Sequence, residues 1–493
     1  MVTIHCRTDR GVPVTALATL TISTLDPTAG LDDLEPLRDL VGDARVVGIG
    51  ESAHDVREYQ QLRFRLTRFL VERMGFTTLA LESGFAEGLL VDRWVRDAPG
   101  AAGTVDEIAG RGLTYGFGRS PETRRLLSWL RRQHREGRRV RFAGLDLPAD
   151  LGSLLPALEI VAGHLEVDPA AREIIDQIRT YAEAWARPHT LAAARAYAET
   201  PAADRDALTV LLAELSTRVD ALRPIHARQA AAPGHADTAV RHDERHADTA
   251  VRHDKAHTDT AVRHDKAHTD AVVRHDKAHT DTAVRHDERH ADTPVRHDEA
   301  RGDGVAWHEA AATARHALRL AVLLDQMLRA QLAAAQGSTA HAVVNVRDAA
   351  MAETAAHLLR DGQRMVISAA NNHLQRIPID LGDSSVAVLG GHLATGLGDG
   401  YLSIAVTCGG GRTPTRRPAP GTERGVQVLT VDLAAPAPGS VEALLGGDRP
   451  GITDLRPLRG VPGGPRRYRN LDGYLDVPVA DAFDLVAVVP RLQ

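Results

Sequence analysis

The stretch RVVGIGESAHDVREYQQLRFRLTRFLVERMGFTTLALESG, residues 45–84, changes its hydrophobic period twice. RVVGIG (45–50) and TTLALE (77–82) are short, largely apolar runs of the kind a sheet buries. Between them Tyr59, Leu62, Leu66, Phe69 and Leu70 recur at helical spacing with charged residues on the other face, which predicts an amphipathic helix. Asp55 and Glu58 have the spacing of a capping box and are expected to start it. Strand, helix and strand in that order make the repeating unit of a parallel sheet covered by helices.

The pattern extends outward from there. RVRFAGLD (139–146) reads as a third strand. Residues 347–360 read as a helix, 364–369 as a strand, and 401–407, 425–433 and 483–489 as further strands. Residues 151–230 and 305–335, rich in Ala, Leu and Arg with few glycines, read as helices. The expected fold is therefore α/β: a central, mostly parallel sheet flanked by helices, with a helical insertion carrying a low-complexity 11-residue repeat. Residues 1–150 and 336–493 form the two parts of the core, and 151–335 the insertion.

Bulk composition narrows the function. The 493 residues include 59 Lys and Arg against 65 Asp and Glu, a net charge of −6 spread along the chain. That balance gives no electrostatic case for nucleic acid or an anionic membrane, and favours a small-molecule substrate. Cys6 and Cys408 are too few for a disulfide framework or a cysteine-ligated zinc, which suits a reducing compartment. The amino terminus lacks a continuous apolar core and no run of about 18 apolar residues follows, so a cytoplasmic protein is expected. Nothing in the sequence fixes the oligomeric state.

Residues 235–300 are six tandem copies of an 11-residue unit, HADTAVRHDER drifting to HTDTAVRHDKA, and hold twelve of the 24 histidines. Each copy offers only an Ala-Val pair to bury, so a charged, solvated linker or helix is expected rather than a packed solenoid. In a helix, pairs such as His242 and His246 would share a face and could hold a metal. That spacing follows automatically from the repeat, and HDERH lacks the second-position glutamate of a zincin helix.

Four expected strands end in polar residues: Glu51 with His54, Glu82, Asp146, and Asn371 with His373. In open α/β sheets ligands bind beyond the carboxyl ends of the strands, so these residues converge on one cleft. Glu51 and Glu82 follow apolar runs, where an unpartnered carboxylate costs several kcal/mol. His54, just before the helix start, would feel the positive helix end and stay neutral, as a general base must. A neighbouring glutamate acts in the opposite direction, so the spacing leaves its protonation open.

GESAH (50–54), the spacing to Arg63 and GFTTLALESGFAEG (75–88) resemble the amino-terminal motifs of the erythromycin esterase family. FAGLDLP (142–148), RPIH (223–226), VRDAAMAE (346–353), NNHLQRIPI (371–379), GLGDGYLSI (396–404), GSVEALL (439–445) and AFDLVAVV (482–489) continue the resemblance in order. It spans nearly the whole chain apart from the repeat. The resemblance implies hydrolysis of a macrolide lactone with no metal or other cofactor. It implies His54 as the base that activates water, with Glu51, Glu82 and His373 as its catalytic partners. Arg63, Asp146, Asn371 and Arg347 are expected to bind substrate or balance charge. The chain departs from the family pattern at Ala370, where the family has the first histidine of an HNxH motif. Asn371 or Asn372 could supply a hydrogen-bond donor in its place.

Other readings use the same residues. GESAH is not a GxSxG elbow, and CGGG (408–411) lacks the lysine and Ser/Thr of a phosphate loop. A histidine with two carboxylates can also abstract a carbon-bound proton, as a lyase would. A macrolide-binding protein without turnover is a further alternative.

The repeat carries none of the quoted motifs. Replacing residues 235–300 by a short flexible linker should therefore preserve both the cooperative unfolding transition and turnover. Loss of activity in a folded variant at every linker length would assign the repeat to the substrate site.

Overall fold

The computed structural model describes residues 2–4, 17–165, 168–230, 296–342, 344–359, 362–382, 384–419, 422 and 426–493. Among them nine strands form one sheet. They are β1 (Val2–Ile4), β2 (Leu17–Thr21), β3 (Val46–Ile49), β4 (Thr78–Gly84), β5 (Arg141–Asp146), β6 (Met365–Ser368), β7 (Tyr401–Cys408), β8 (Gly451–Asp454) and β9 (Leu485–Val489). Their order is β1-β2-β8-β9-β7-β3-β6-β4-β5. From β9 to β5 every pairing is parallel. The three pairings among β1, β2, β8 and β9 are antiparallel. The fold is thus an α/β sheet, mostly parallel, and its six parallel strands place all their carboxyl ends along one edge.

Helix α1 (Arg57–Met74) joins β3 to β4 and buries Tyr59, Leu62, Leu66, Phe69 and Leu70. It stops at Gly75, whose left-handed backbone (φ 74°) closes the last turn. The expected Asp55–Glu58 capping box does not form. Asp55 is left-handed (φ 63°), Val56 is the N-cap and makes no side-chain bond, and Glu58 Oε1 instead accepts the Gln493 N–H at 3.2 Å.

The expected strand at 425–433 exists as Val426–Asp432 but lies outside the sheet, paired with Arg412–Pro418 in a separate hairpin. Its polar positions, Gln427 and Thr430, do not suit a strand buried on both faces. Strands β2 and β8 were not read from the sequence. LATLT and GITD are short and partly polar, as the antiparallel side of a sheet permits.

Helices Leu155–His164, Pro169–Glu183, Thr190–Glu199, Ala202–Ala230 and Arg296–Ala335 fill the expected helical region. The chain divides into two compact units, Met1–Ala221 with Ala310–Gln493, and Leu222–Glu309. Within the first, the helical residues pack into one apolar cluster with Phe85 and Ala350, and Tyr197 donates a buried hydrogen bond to Asp325 at 2.6 Å. The reading of the repeat falls outside the described residues, apart from its last positions, which begin helix Arg296–Ala335. Among the described residues no helix is long and apolar enough to cross a membrane.

Helix α2 (Phe85–Val95) packs on β5 through two glycines. A Cβ on Gly88 would lie 2.5 Å from the Gly144 backbone nitrogen, and one on Gly144 would lie 2.1 Å from the Gly84 carbonyl. The obstructing atoms are backbone and cannot swing away. Gly144→Ala is accordingly expected to lower unfolding free energy by about 1–3 kcal/mol or more. Urea denaturation checks this, and an unchanged midpoint would show that β4 and β5 can separate without cost.

Candidate active site

The loop after β3 is stitched between the ends of its two neighbours. Gly50 donates its N–H to Ile404 O at 2.9 Å, and Glu51 O accepts from Asn371 N–H at 2.9 Å. A Cβ on Gly50 would fall 1.9 Å from Asn371 Oδ1, so only glycine lets that amide pass. Asn371 is fully buried. Its Nδ2 donates to Val406 O (2.9 Å) and Ser52 Oγ (3.2 Å), and its Oδ1 accepts the Val406 N–H (3.0 Å). With both ends of its amide committed, Asn371 ties β6 to β7, and it is Asn372 that faces the cleft.

His54 projects from this loop. Its Nδ1 lies 2.7 Å from Glu51 Oε1, and its Nε2 lies 3.9 Å from Glu82 Oε1. Phe117 packs edge-on against the ring at 5.2 Å. The other oxygen of Glu51 faces Arg63 Nη1 at 3.5 Å, and the same Nη1 donates to Ser368 Oγ at 2.7 Å. Arg63 is buried beneath Glu51 and does not line the cleft.

Glu82 owes its position to an irregularity. Leu81 pairs with Gly144 and Gly84 with Asp146, so one extra residue is accommodated in β4 at this point. Its Oε2 accepts the Ala370 N–H at 2.7 Å. Its Oε1 accepts from Arg347 Nη2 at 2.8 Å and lies 3.4 Å from His373 Nε2. Arg347 also grips Asp146, with Nε and Nη2 at 3.0 and 2.6 Å from Oδ2. Asp146 is fully buried and accepts from Tyr115 Oη at 2.8 Å as well. His373 Nδ1 is 2.9 Å from Asp348, whose carboxylate also accepts the Leu389 N–H.

Charge balance explains the protonation. Glu51, Glu82, Asp146 and Asp348 bring four negative charges, and Arg63 and Arg347 only two positive ones. Both imidazoles are driven to make up the difference. For His373, burial disfavours the imidazolium, but Asp348 and Glu82 outweigh it and raise the pKa to about 10. The shift favours the imidazolium, with Nδ1–H donated to Asp348, while Nε2 faces Glu82 Oε1 at 3.4 Å and Arg347 Nη1 at 3.2 Å. For His54, burial again acts downward, and Glu82 and Glu51 overcome it, so the pKa is raised above the ordinary histidine value. Of the two opposing influences that the spacing left open, the carboxylates prevail, because two of them in close range outweigh the dipole of a helix that starts only at Arg57. Burial would push Glu82 up, but His373, His54 and Arg347 hold it well below the usual carboxylate range.

These groups open on a cleft of about 260 Å³. His54, Glu82, Arg347, Ala370, Asn372 and His373 line its floor and walls, and Pro414, Thr415, Arg416 and Val428 of the separate hairpin close one side. Asn470 and Leu471 add another wall, held by the Leu471 N–H donated to Ser52 O at 2.8 Å. Among the described residues no group of three or more His, Cys, Asp or Glu side chains has metal-binding geometry.

The family model of erythromycin esterase matches residues 71–296 and 244–492. The chain belongs to the erythromycin esterase family. Erythromycin esterase type II of Escherichia coli is 27% identical over 427 residues, spanning 85% of this chain and 82% of its own. Erythromycin esterase type I of Escherichia coli is 35% identical over 121 residues, 24% of this chain and 28% of its own. In structure the chain is similar to a mutant of the erythromycin esterase EreC in its open conformation. The TM-score is 0.68 at 19% identity, over 97% of this chain and 98% of that one. A Bacillus cereus protein gives 0.65 at 16% identity, covering 96% and 95% of the two chains.

Of the residues singled out in the sequence, His54, Glu82, His373 and Arg347 line the cleft, while Glu51, Arg63, Asp146 and Asn371 are buried behind it. Sequence reasoning missed Asp348, Tyr115 and Phe117. Asp348 adjoins Arg347 in VRDAAMAE and could have been found from the charge a buried His373 requires. Tyr115 lies in a loop and Phe117 begins a single 3-10 turn, Phe117–Arg119, too short to leave a periodic signal.

The His373 proton has a consequence for stability. Its pKa in the folded protein, about 10, exceeds the unfolded value of about 6.5. The stabilisation is therefore fully present below about pH 6.5 and is lost as pH rises through about 10. The urea midpoint should fall between about pH 7 and about pH 10.5, and His373→Asn, which carries no such proton, should flatten that part of the profile. Parallel profiles for the two proteins would show that His373 is not the group responsible.

Proposed function

We propose that this erythromycin esterase family member is a hydrolase that opens the lactone ester of a macrolide or related natural product with water activated by His54. The observation that carries this reading is the 3.9 Å separation of His54 Nε2 and Glu82 Oε1. It is too long for a direct hydrogen bond and short enough for one water to touch both.

The residues divide the work. Glu51 accepts the Nδ1–H of His54 and so fixes the tautomer that presents Nε2 to the cleft. His54 takes a proton from the water as its oxygen bonds to the ester carbonyl carbon. The carbonyl oxygen becomes an oxyanion, and the His373 imidazolium on the cleft wall supplies positive charge for it. When the C–O bond breaks, His54 returns its proton to the leaving alkoxide. The products are an alcohol and a carboxylic acid, together the substrate plus one water, and the acid then loses its proton to solvent. No step calls for a metal. Arg63 holds Glu51 from behind the cleft, and Arg347 holds Glu82 while itself lining the cleft. Because His54 must be neutral to accept a proton, its raised pKa places the acid limb of the rate above the ordinary histidine value of about 6.5.

The test is a panel of macrolides incubated with purified protein in the presence of a chelator and followed by mass spectrometry. A gain of one water is expected, and His54→Gln should lower kcat by about 10²–10⁴-fold while leaving the unfolding transition in place. Bound substrate of unchanged mass would reject hydrolysis in favour of sequestration. Product of reduced mass would indicate elimination, and a folded His54 variant with parental turnover would remove the assigned base.

A further inference from the structure

Tyr115 has a costly backbone and an unusual number of restraints for a residue in a loop. Its φ is +57°, a left-handed conformation that bulky side chains rarely adopt. Its N–H donates to Asp150 Oδ1 at 2.6 Å. Asp150 lies in a run of three left-handed residues, Ala149, Asp150 and Leu151, with φ of 52, 52 and 62°. The Ala149 N–H is in turn held by Glu87 Oε1 at 2.8 Å. On the other side Thr114 is latched to the irregular end of β4, its Oγ1 accepting from Gly84 N–H and its N–H donated to Ser83 Oγ, both at 2.9 Å. Strained backbone persists only where its surroundings over-determine it, and here both partners of one hydrogen bond are strained.

What those restraints aim is a side chain in the cleft. The Tyr115 hydroxyl donates to Asp146 Oδ2 at 2.8 Å, and its ring lies 5.4 Å from the Arg347 guanidinium carbon. Tyr115 thus restrains Arg347 twice, by a ring face and through the carboxylate that Arg347 grips. Arg347 Nη2 divides its hydrogens between Asp146 Oδ2 (2.6 Å) and Glu82 Oε1 (2.8 Å). That Glu82 oxygen is the one facing His54.

We propose that Tyr115 is a positioning residue: by sharing the charge of Asp146, it sets how strongly Arg347 compensates Glu82 and therefore how readily His54 gives up its proton. The proposal rests on the reading of His54 as the base. The other charged groups around His54 are Glu51 and Asp55 on its own loop, Arg63 behind Glu51, Arg416 on the hairpin and His373 across the cleft. None of them contacts the tyrosine hydroxyl among the described residues; His373, with Nε2 3.2 Å from Arg347 Nη1, is the one whose surroundings change along with Arg347, and its titration is followed in the same spectra.

Tyr115→Phe keeps the ring and deletes the donor. Asp146 should then claim more of Arg347, Glu82 should be less compensated, and His54 should hold its proton more tightly. Two measurements follow. The acid limb of kcat/KM is expected to move to higher pH by about half a unit, with kcat down several-fold at neutral pH, recovering on the alkaline side, and KM little changed. The His54 imidazole, followed by NMR in isotope-labelled protein and assigned with His54→Gln, is expected to titrate higher by a similar amount. The NMR arm needs no substrate, so a parent protein without esterase activity would fail the functional reading while leaving this proposal decided. An unmoved His54 titration in folded Tyr115→Phe would overturn the proposal. So would a loss of activity equal at every pH, which is what a purely structural tyrosine predicts.

Discussion

Four carboxylates gathered at one end of a buried sheet can remain ionised only if positive charge is placed among them. This constraint organises the molecule. The guanidiniums of Arg63 and Arg347 supply two charges, so what remains falls on two imidazoles. They do not share it equally. His373 is buried between Asp348 and Glu82 and is held as a cation, whereas His54 stands at the cleft with part of its ring exposed. One histidine is thereby a fixed charge and the other the variable member of the set. The proposed role of His54 as a base that cycles its proton requires the second kind.

The sheet makes this arrangement cheap to hold. Glu51 follows β3, Glu82 lies at the irregular end of β4, Asp146 ends β5, and His373 follows β6. All four strands run in parallel and are consecutive in the sheet, so the groups arrive at one edge without any long loop to order. The extra residue in β4 falls between Leu81 and Gly84, the stretch that carries Glu82. Gly50 and Asn371 perform the complementary task of locking the loops after β3 and β6 to β7 through backbone hydrogen bonds. Few side chains are left free to rearrange, which is how a site holds a reacting geometry.

Much of this was legible in the sequence because it follows from periodicity and from chemistry out of place. Short apolar strands alternating with amphipathic helices gave the parallel block, and polar residues at the strand ends gave Glu51, His54, Glu82, Asp146 and His373. The parts that were not legible depend on partners far apart in the chain. Val426–Asp432 has the composition of a strand, but whether it joins the sheet or a separate hairpin is decided by which edges remain unpaired. The protonation of His54 is set by the distance to Glu82, a residue on another strand, and no spacing encodes it. The Asp55–Glu58 pair shows the opposite failure: a local motif was present, but the carboxylate it required is occupied by the backbone N–H of Gln493.

The same division separates chemistry from selectivity. The reacting groups are buried, cross-braced and charge-balanced, so a change at any one of them disturbs the rest. The cleft they open on, about 260 Å³, is below the range of about 300–1,000 Å³ typical of sites that enclose a whole drug-sized ligand. For the lactone substrate proposed above, it would surround the ester and its immediate neighbours, and the remainder of a large ring would rest on the rim. That rim is built from elements outside the parallel block. Asp55 is exposed on the loop after β3, Arg416 and Val428 are exposed on the hairpin, and Asn470 and Leu471 come from a third segment. The hairpin is tied to the third segment by Thr415 Oγ1, which donates to Asp472 at 2.6 Å, and by Arg417 on the same carboxylate. None of these contacts reaches the carboxylate network. On the proposed reading, uncharged rim positions such as Val428, Asn470 and Leu471 would govern which lactone is accepted, whereas Asp55 and Arg416 also act on the charge of His54.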